Sequence, residues 1–385
     1  MITKLKNIGT VITGNTPKTS EEKNYATPDI PFVKPSDLCN ETITLIDDTE
    51  FHISEYARDK ARIVPVNSVF MTCIGIIGKV GINNCECAFN QQINVVVPNT
   101  KKCLCEYLAY ALVNKKDIIQ ATANAPVVPI LNKTQFENIE IDIPNLEKQK
   151  EVVAVLTKID YLISTRKQQV LKLDELIKSR FIEMFGDPIR NEKEWLRLTL
   201  GDICEIGSSK RVFEKDYVPN GIPFFRTKEI VELSKGNKIS TELFITKKHF
   251  ETLKKAYGVP KKNDLLISAV GTIGTIWIVS GDFEFYFKDG NLIQIKSSDS
   301  FNSIFMKYLL NELIANYKKE MSTGTAYSAL TIAGLKKMLV YDVPLALQNE
   351  FATFVEQTDK LKFEAKQSLE KLEMLKKALM QEYFG

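Results

Sequence analysis

The chain matches itself. Segments spread through the first half return in the same order in the second, at an offset of roughly 192 to 201 residues. LKNIGTVITG from Leu5 answers LGDICEIGSS from Leu200, IPFVKPSDL from Ile30 answers IPFFRTKEI from Ile222, and TCIGIIGKVGI from Thr72 answers SAVGTIGTIWI from Ser268. CEYLAYALVN from Cys105 aligns with MKYLLNELIA from Met306, IDIPNLEKQKEVVAVLTKID from Ile141 with YDVPLALQNEFATFVEQTDK from Tyr341, and FIEMFG from Phe181 with the closing MQEYFG. Ordered matches of this kind make the architecture a duplication: what one half folds into, the other must also fold into.

Each half divides again. Residues 1–146 and 187–344 mix short β-branched runs, such as Ile93 to Val97 and Leu292 to Ile295, with Gly, Pro and Asn punctuation and a few short helical patterns. Residues 147–186 and 345–385 follow Pro144 and Pro344, contain no Pro, hold Gly only at their last position, and are rich in Glu, Lys, Leu and Gln, which favours helix. The class predicted is α+β: two tandem α/β domains, each followed by one long helix.

In the first helix Val152, Leu156, Ile159, Ile163, Val170, Leu173, Ile177 and Met184 fall on alternating four-three steps, with Arg166 and Arg180 filling the gaps. In the second, Phe351, Val355, Thr358, Ala365, Leu369, Leu372, Leu379 and Tyr383 keep that rhythm, broken at Lys362 and Lys376. A lone helix cannot bury such a stripe, so the two seams are expected to pack on each other as a coiled coil. The first helix carries the chain from one globular part to the next. A second helix of the same geometry runs back, which predicts an antiparallel pair, a pseudo-twofold axis, neighbouring termini and a rod of roughly 50 Å.

Composition narrows the functional classes. With 44% hydrophobic and 26% charged residues the chain is ordinary globular protein. No apolar run approaches the roughly 18 residues of a membrane span, and the start MITKLKNIG lacks the apolar core of a signal peptide, so a cytoplasmic location is expected. Seven cysteines, an odd number, fit a reducing compartment. The net charge of +3, with 22 basic and 22 acidic residues through Gly186, requires any nucleic-acid surface to be local.

Constellations for catalysis dissolve one by one. There are only two histidines, His52 and His249. Gly75-Ile76-Ile77-Gly78-Lys79 has the wrong glycine spacing for a phosphate loop and reads as a tight turn. Cys85/Cys87 and Cys103/Cys105 form two C-x-C pairs, closer than zinc ligands usually sit and without equivalents in the second half, so no metal is expected. Asp359, Glu364 and Lys366 imitate a metal-nuclease string, yet they fall on the second helix. No dinucleotide fingerprint, S-adenosylmethionine loop or NPPY-type adenine-methylase motif occurs.

What remains is a binding surface. Both halves place a cation after the IPF strand: Lys34, followed by Ser36, in the first and Arg226 with Lys228 in the second. Thr72, Lys79 and Ser268 belong to the S/T-x-x-G-x-x-G turns, and Asn90 and Gln91 open an amide run that either reads adenine edges or lines a turn. Lys288 and Asn291 occupy that neighbourhood in the second half, and Lys247/Lys248, Lys254/Lys255 and Lys261/Lys262 add charge there. The apolar residues Phe181, Met184, Phe185, Met380, Tyr383 and Phe384 are expected to leave a face for protein partners.

On these residues, over essentially its whole length, the chain resembles the specificity subunits of type I restriction-modification systems. The features shared are the IPF segments, the S/T-x-x-G-x-x-G turns, the IDIP and YDVP strands leading into helices, and FIEMFGDP closing the first repeat. The family's acidic-Gln-Gln run stands here as Glu147-Lys148-Gln149 and Leu347-Gln348-Asn349. The resemblance implies two target-recognition domains that each read one half of a bipartite DNA site. It also implies helices that set the spacing and dock two modification (methyltransferase) subunits carrying S-adenosylmethionine, with restriction (helicase-nuclease) subunits joining that core. The other functions open to such a sequence are a coiled-coil scaffold with two protein-binding heads, or an enzyme that modifies DNA alone.

Overall fold

The structure is a computed structural model and describes residues 1–122, 129–322 and 329–385. Two 40-residue helices, Leu146–Phe185 and Leu345–Phe384, dominate it. Asn145 starts the first, its side-chain oxygen accepting the Lys148 N–H at 2.9 Å. Gly186 ends it at φ 78°, its N–H closing on the Ile182 carbonyl at 2.8 Å, a left-handed cap that suits glycine.

The chain divides into two compact units, residues 1–167 with 366–385 and residues 168–365. Each unit therefore holds one globular part and a stretch of both helices, as an antiparallel pair requires. In the first unit Lys376 meets Asp160 at 2.5 Å and Lys167 meets Glu373 at 3.2 Å. In the second, Lys362 pairs with Asp174 and Arg180 with Glu350 at 3.0 Å. The residue on the first helix rises, 160 to 167 and 174 to 180, while its partner on the second falls, 376 to 373 and 362 to 350, so the pairing is antiparallel in both units. Lys362 and Lys376, the two breaks in the second seam, are thus interhelical ion pairs.

The seam is buried where a globular part covers it. Val152, Leu156, Ile159 and Ile163 in one unit, and Ile177, Phe351, Val355, Thr358 and Ala365 in the other, are less than a tenth exposed. Farther along, Val170 and Leu173 of the second unit and Leu369 and Leu372 of the first are only half-buried.

Both globular parts are built alike from small sheets. In the first unit a five-stranded sheet runs Gly9–Thr13, Ile93–Pro98, Val69–Thr72, Val80–Asn83, Thr44–Ile46, and a four-stranded one runs His52–Ile53, Ile30–Val33, Cys87–Phe89, Ile63–Val64. In the second unit the order Ile206–Gly207, Leu292–Ile295, Leu265–Ser268, Ile276–Ile278 repeats the first sheet without its last strand. Its other sheet, Tyr217–Val218, Phe244–Ile245, Ile222–Phe225, Tyr286–Phe287, keeps the parallel pairing of the IPF strand: Phe224 opposite Tyr286 as Phe32 is opposite Ala88. After that strand the halves diverge, into a 3-10 turn at Pro35–Asp37 and an eight-residue helix at Thr227–Ser234.

The S/T-x-x-G-x-x-G turns explain their own motif. The Thr72 hydroxyl donates to the Ile76 carbonyl at 2.6 Å and accepts the Lys79 N–H at 3.0 Å. Ser268 does the same with the Thr272 carbonyl and with the Thr275 N–H at 3.0 Å. Gly78 and Gly274 take φ 93° and 84°, and a Cβ there would lie 2.8 Å from Lys116 Cγ and 2.6 Å from Ile314 Cγ2.

One sequence match is corrected. The N–H of Leu104 donates to Gln149 Oε1 at 2.9 Å, and that of Asn302 to Gln348 Oε1 at 2.8 Å. Tyr107 packs against Phe384 with ring centroids 5.1 Å apart, as Phe305 packs edge-on against Phe185 at 4.8 Å. Cys105 therefore answers Ser303 rather than Met306. The slip of three residues is nearly one helical turn, which leaves the same face apolar and is invisible to sequence matching.

The six apolar residues expected to serve partners are used inside the chain. Phe181 and Phe185 join Phe305 and Phe351 in an aromatic cluster, Met380 and Phe384 lie in the core of the first unit, and Met184 and Tyr383 pack against these cores. The free face expected at these positions is thus corrected to core packing, because each helix end has to bury its stripe against a globular part. The two ends of the sequence belong to one unit: the Met1 ammonium bonds Asp142, and Asn114 Nδ2 donates to the Phe384 carbonyl at 3.1 Å. A chain joined from residue 385 to residue 1 by a flexible linker, and opened between the exposed Glu192 and Lys193, should keep the native circular dichroism spectrum and one cooperative melt. Loss of the cooperative melt would count against this pairing of segments.

Candidate nucleic-acid interface

In each unit three loops separated in sequence meet at one place. In the first they follow the strands Gly9–Thr13, Ile30–Val33 and Cys87–Phe89. Gly14 and Asn15 donate backbone N–H groups to the Ile93 and Phe89 carbonyls, both at 3.1 Å, and Asn90 N–H donates to the Val33 carbonyl at 3.1 Å. The second unit repeats the junction: Ser208 and Ser209 hydroxyls donate to the Leu292 and Phe287 carbonyls at 2.9 and 2.6 Å, and Lys288 N–H to the Phe225 carbonyl at 2.8 Å.

The side chains at these junctions differ. In the first unit the Thr16 hydroxyl donates to Gln91 Oε1 at 2.6 Å, and Gln91 is exposed. Asn90 is 8% exposed and turns inward, its Oδ1 accepting the Gln92 N–H and its Nδ2 donating to Gln92 Oε1, both at 3.1 Å. Of the two amide roles open at Asn90, turn-lining is the one its side chain performs. Lys34 lies over the Phe51 ring on an open pocket of ≈ 770 Å³ that Thr16, Lys23, Tyr25 and Phe32 also line. Lys79 Nζ donates to the Pro35 carbonyl at 2.8 Å, and Ser36 is exposed beside it.

In the second unit Arg226 is folded onto Glu229, Nη2 to Oε1 at 2.8 Å, and the Glu229 side chain is 1% exposed. Lys228 is exposed and donates to the Thr241 hydroxyl at 2.7 Å. Asn291 accepts the Ala269 N–H through its carbonyl at 2.8 Å, as Gln92 accepts that of Cys73 at 2.7 Å, so Asn291 answers Gln92. Thr72 and Ser268 are fully buried, their hydroxyls spent on their own turns, which corrects their placement on a contact surface.

Residues 1–173 and 192–374 match the model for the type I restriction modification DNA specificity domain. The chain belongs to the family of type I restriction-modification specificity subunits. It is 27% identical over 393 residues to the type I restriction enzyme MjaIX specificity subunit of Methanocaldococcus jannaschii, covering 92% of this chain and 85% of that one. A shorter match, 26% over 170 residues, joins it to the EcoR124I/EcoR124II specificity subunit of Escherichia coli, with 42% and 41% covered. Its fold is that of the S subunit from M. genitalium, at TM-score 0.61 and 14% identity, covering 100% of this chain and 96% of that one. A structure concerned with complex assembly and conformational transition of the type I system aligns at TM-score 0.58 and 16% identity, over 100% and 97%.

Sequence reasoning missed two kinds of residue in this specificity subunit. Thr16, Lys210 and Arg211 join the junctions through partners 75 to 78 residues away, a proximity that no local motif announces. Gln149 and Gln348, at the start of the long helices, are 0% and 2% exposed and clamp each helix to its globular part. Gln149 bonds Leu104, Lys102 and Pro144, while Gln348 bonds Asn302 and Val343. The sequence match from Ile141 and Tyr341 sets Gln149 against Asn349; the structure sets it against Gln348, each being the fourth residue of its helix.

Among the described residues no group of three or more His, Cys, Asp or Glu comes together as a metal site, and no helix is long and apolar enough to cross a membrane. The C-x-C pairs are split: Cys87 belongs to one apolar cluster, Cys103 and Cys105 to another. Burial pushes the Cys73, Cys87, Cys103 and Cys105 thiols up to about 12. At pH 8 they are therefore almost wholly protonated, and iodoacetamide should label the exposed Cys39 first and these four only on unfolding; rapid labelling of all four in the native protein would contradict their burial. Arg226→Ala should cost about 1 to 3 kcal/mol, because it leaves the buried Glu229 carboxylate with the backbone N–H of position 226 but no cation, and adding Glu229→Gln should restore much of that in a denaturant titration.

Proposed function

We propose that this chain is the non-catalytic, DNA-reading subunit of a type I restriction-modification complex, and that each globular part reads one half of a bipartite duplex site. The observation that carries the reading is the duplicated three-loop junction, one scaffold bearing Thr16 and Gln91 in one unit and Arg211, Lys288 and Asp289 in the other. Two readers of different sequences need this combination of common frame and different polar side chains. Exposed Ser36, Lys228 and the half-buried Lys34 and Lys288 border the junctions and suit phosphate contacts, which fix register without carrying sequence information.

The partners are duplex DNA and two modification subunits that bring S-adenosylmethionine. For the protein partners the long helices offer apolar side chains that the chain leaves exposed: Val155, Tyr161 and Leu162 in one unit, Leu171, Leu176 and Phe363 in the other. Exchanging residues 187–344 for the same region of a homologous subunit, followed by mapping of methylated adenines with the reconstituted complex, tests the reading. One half of the recognised sequence should change and the other persist. Change in both halves, or in neither, would overturn the two-reader assignment, and turnover by the purified chain with DNA, magnesium and methyl donor would overturn the non-catalytic one.

A further inference from the structure

We propose that Arg211 is a base-reading residue of the second globular part, that its target is the O6/N7 edge of a guanine in the major groove, and that Asp289 is its positioning residue. The inference rests on the DNA-reading assignment above and adds to it a residue and a base.

The loop that carries Arg211 is held more firmly than an exposed loop needs to be. Ser208 and Ser209 are tied to the Leu292 and Phe287 carbonyls, and the Lys210 N–H donates to the Tyr286 hydroxyl at 2.9 Å. The next residue, Val212, is buried at 5% in an apolar cluster with Phe224 and Tyr286. Between these anchors the Arg211 side chain stands 65% exposed, yet its Nε donates to Asp289 Oδ2 at 3.1 Å, and the Asp289 side chain is 19% exposed. A solvated ion pair of this kind contributes little to stability, so its consequence is orientation.

That orientation leaves a specific chemistry free. With Nε engaged, both terminal amino groups of the guanidinium are available side by side, and no other residue among those described bonds them. Two parallel donors in one plane match the two acceptors O6 and N7 of guanine; a lysine ammonium reaches such acceptors only as a rotatable point charge, without the planar fork that Asp289 orients here. The same bond argues against a phosphate. Asp289 neutralises the local charge, which weakens attraction for an anion while leaving the donors intact for a neutral acceptor edge. The corresponding place in the first unit is also neutral and oriented, the Thr16 hydroxyl on the Gln91 amide. The nearby Lys288 ammonium has no ion-pair partner among the described residues and is the group left for the backbone.

The test uses the reconstituted complex with its modification subunits. Binding selection from a randomised duplex library is compared for wild type, Arg211→Ala, Arg211→Lys and Asp289→Asn, with thermal melts to confirm that each variant is folded. Arg211→Ala and Arg211→Lys should each lose about 10- to 100-fold preference for one guanine in the second half-site, with the first half-site unchanged. Replacing that guanine by 7-deazaguanine should weaken wild-type binding and leave Arg211→Ala unaffected. Asp289→Asn should blunt the same position, and only that one. A variant that loses affinity uniformly and lowers the salt slope by about one, with its base preferences intact, would make Arg211 a phosphate contact and overturn the proposal. Unchanged selection by every variant, where wild type selects a bipartite site, would overturn it too. Failure of wild type to select any sequence would sink the DNA-reading assignment itself.

Discussion

A long helix with one apolar stripe cannot stay folded as a lone rod, and the rest of this molecule follows from how the stripe is covered. Each seam is closed by the other helix and, at its ends, by a globular part. The aromatic cluster of Phe181, Phe185, Phe305 and Phe351, with ring centroids 4.8 to 5.9 Å apart, shows the scale of the contact. Truncating any one of these buried rings to alanine would cost about 3 to 5 kcal/mol, a large share of what holds a domain together. Because the helices run antiparallel, each compact unit holds part of both of them. The first unit is therefore not one segment but joins residues 1–167 to 366–385, both ends of the sequence, whereas the second is the continuous stretch 168–365.

Charge then sets the register that apolar packing leaves loose. Leucines and isoleucines on a stripe tolerate sliding by a turn, whereas Lys376 reaches Asp160, and Lys362 reaches Asp174, in one alignment only. Tyr110 reinforces the first of these by donating to Asp160 at 2.8 Å. The buried amides of Gln149 and Gln348 do the equivalent work at the helix starts, where unpaired polar groups inside a core would be costly. Scaffold and reading surface are separated by this arrangement. The hydroxyls of Thr72 and Ser268 and the glycines beside them build the turn, and the loops that meet outside it are free to differ.

Much of this was legible beforehand, for reasons that can be named. The duplication, the two helices and their antiparallel sense follow from pattern and order, because a heptad stripe and a repeated segment are properties of the sequence itself. The interpretation of single polar residues fared less well. Arg226 and Thr72 carry side chains suited to DNA, yet one is held by a buried carboxylate and the other closes a turn. Residue type states what a group is able to bond; only the surroundings state what it already bonds.

The sequence alone determined the class of the fold and the existence of two similar halves, since these rest on periodicity and order along the chain, and its motifs carried the resemblance to the family. Tertiary structure decided which residues meet. It moved the helix match from Met306 to Ser303, because a slip of one turn conserves the apolar face. It placed the terminal aromatic residues inside the cores, and it brought Thr16 to Gln91 and Arg211 to Asp289 across more than 70 residues. Such contacts are made by sheets folding over one another, and no local spacing in the sequence encodes them.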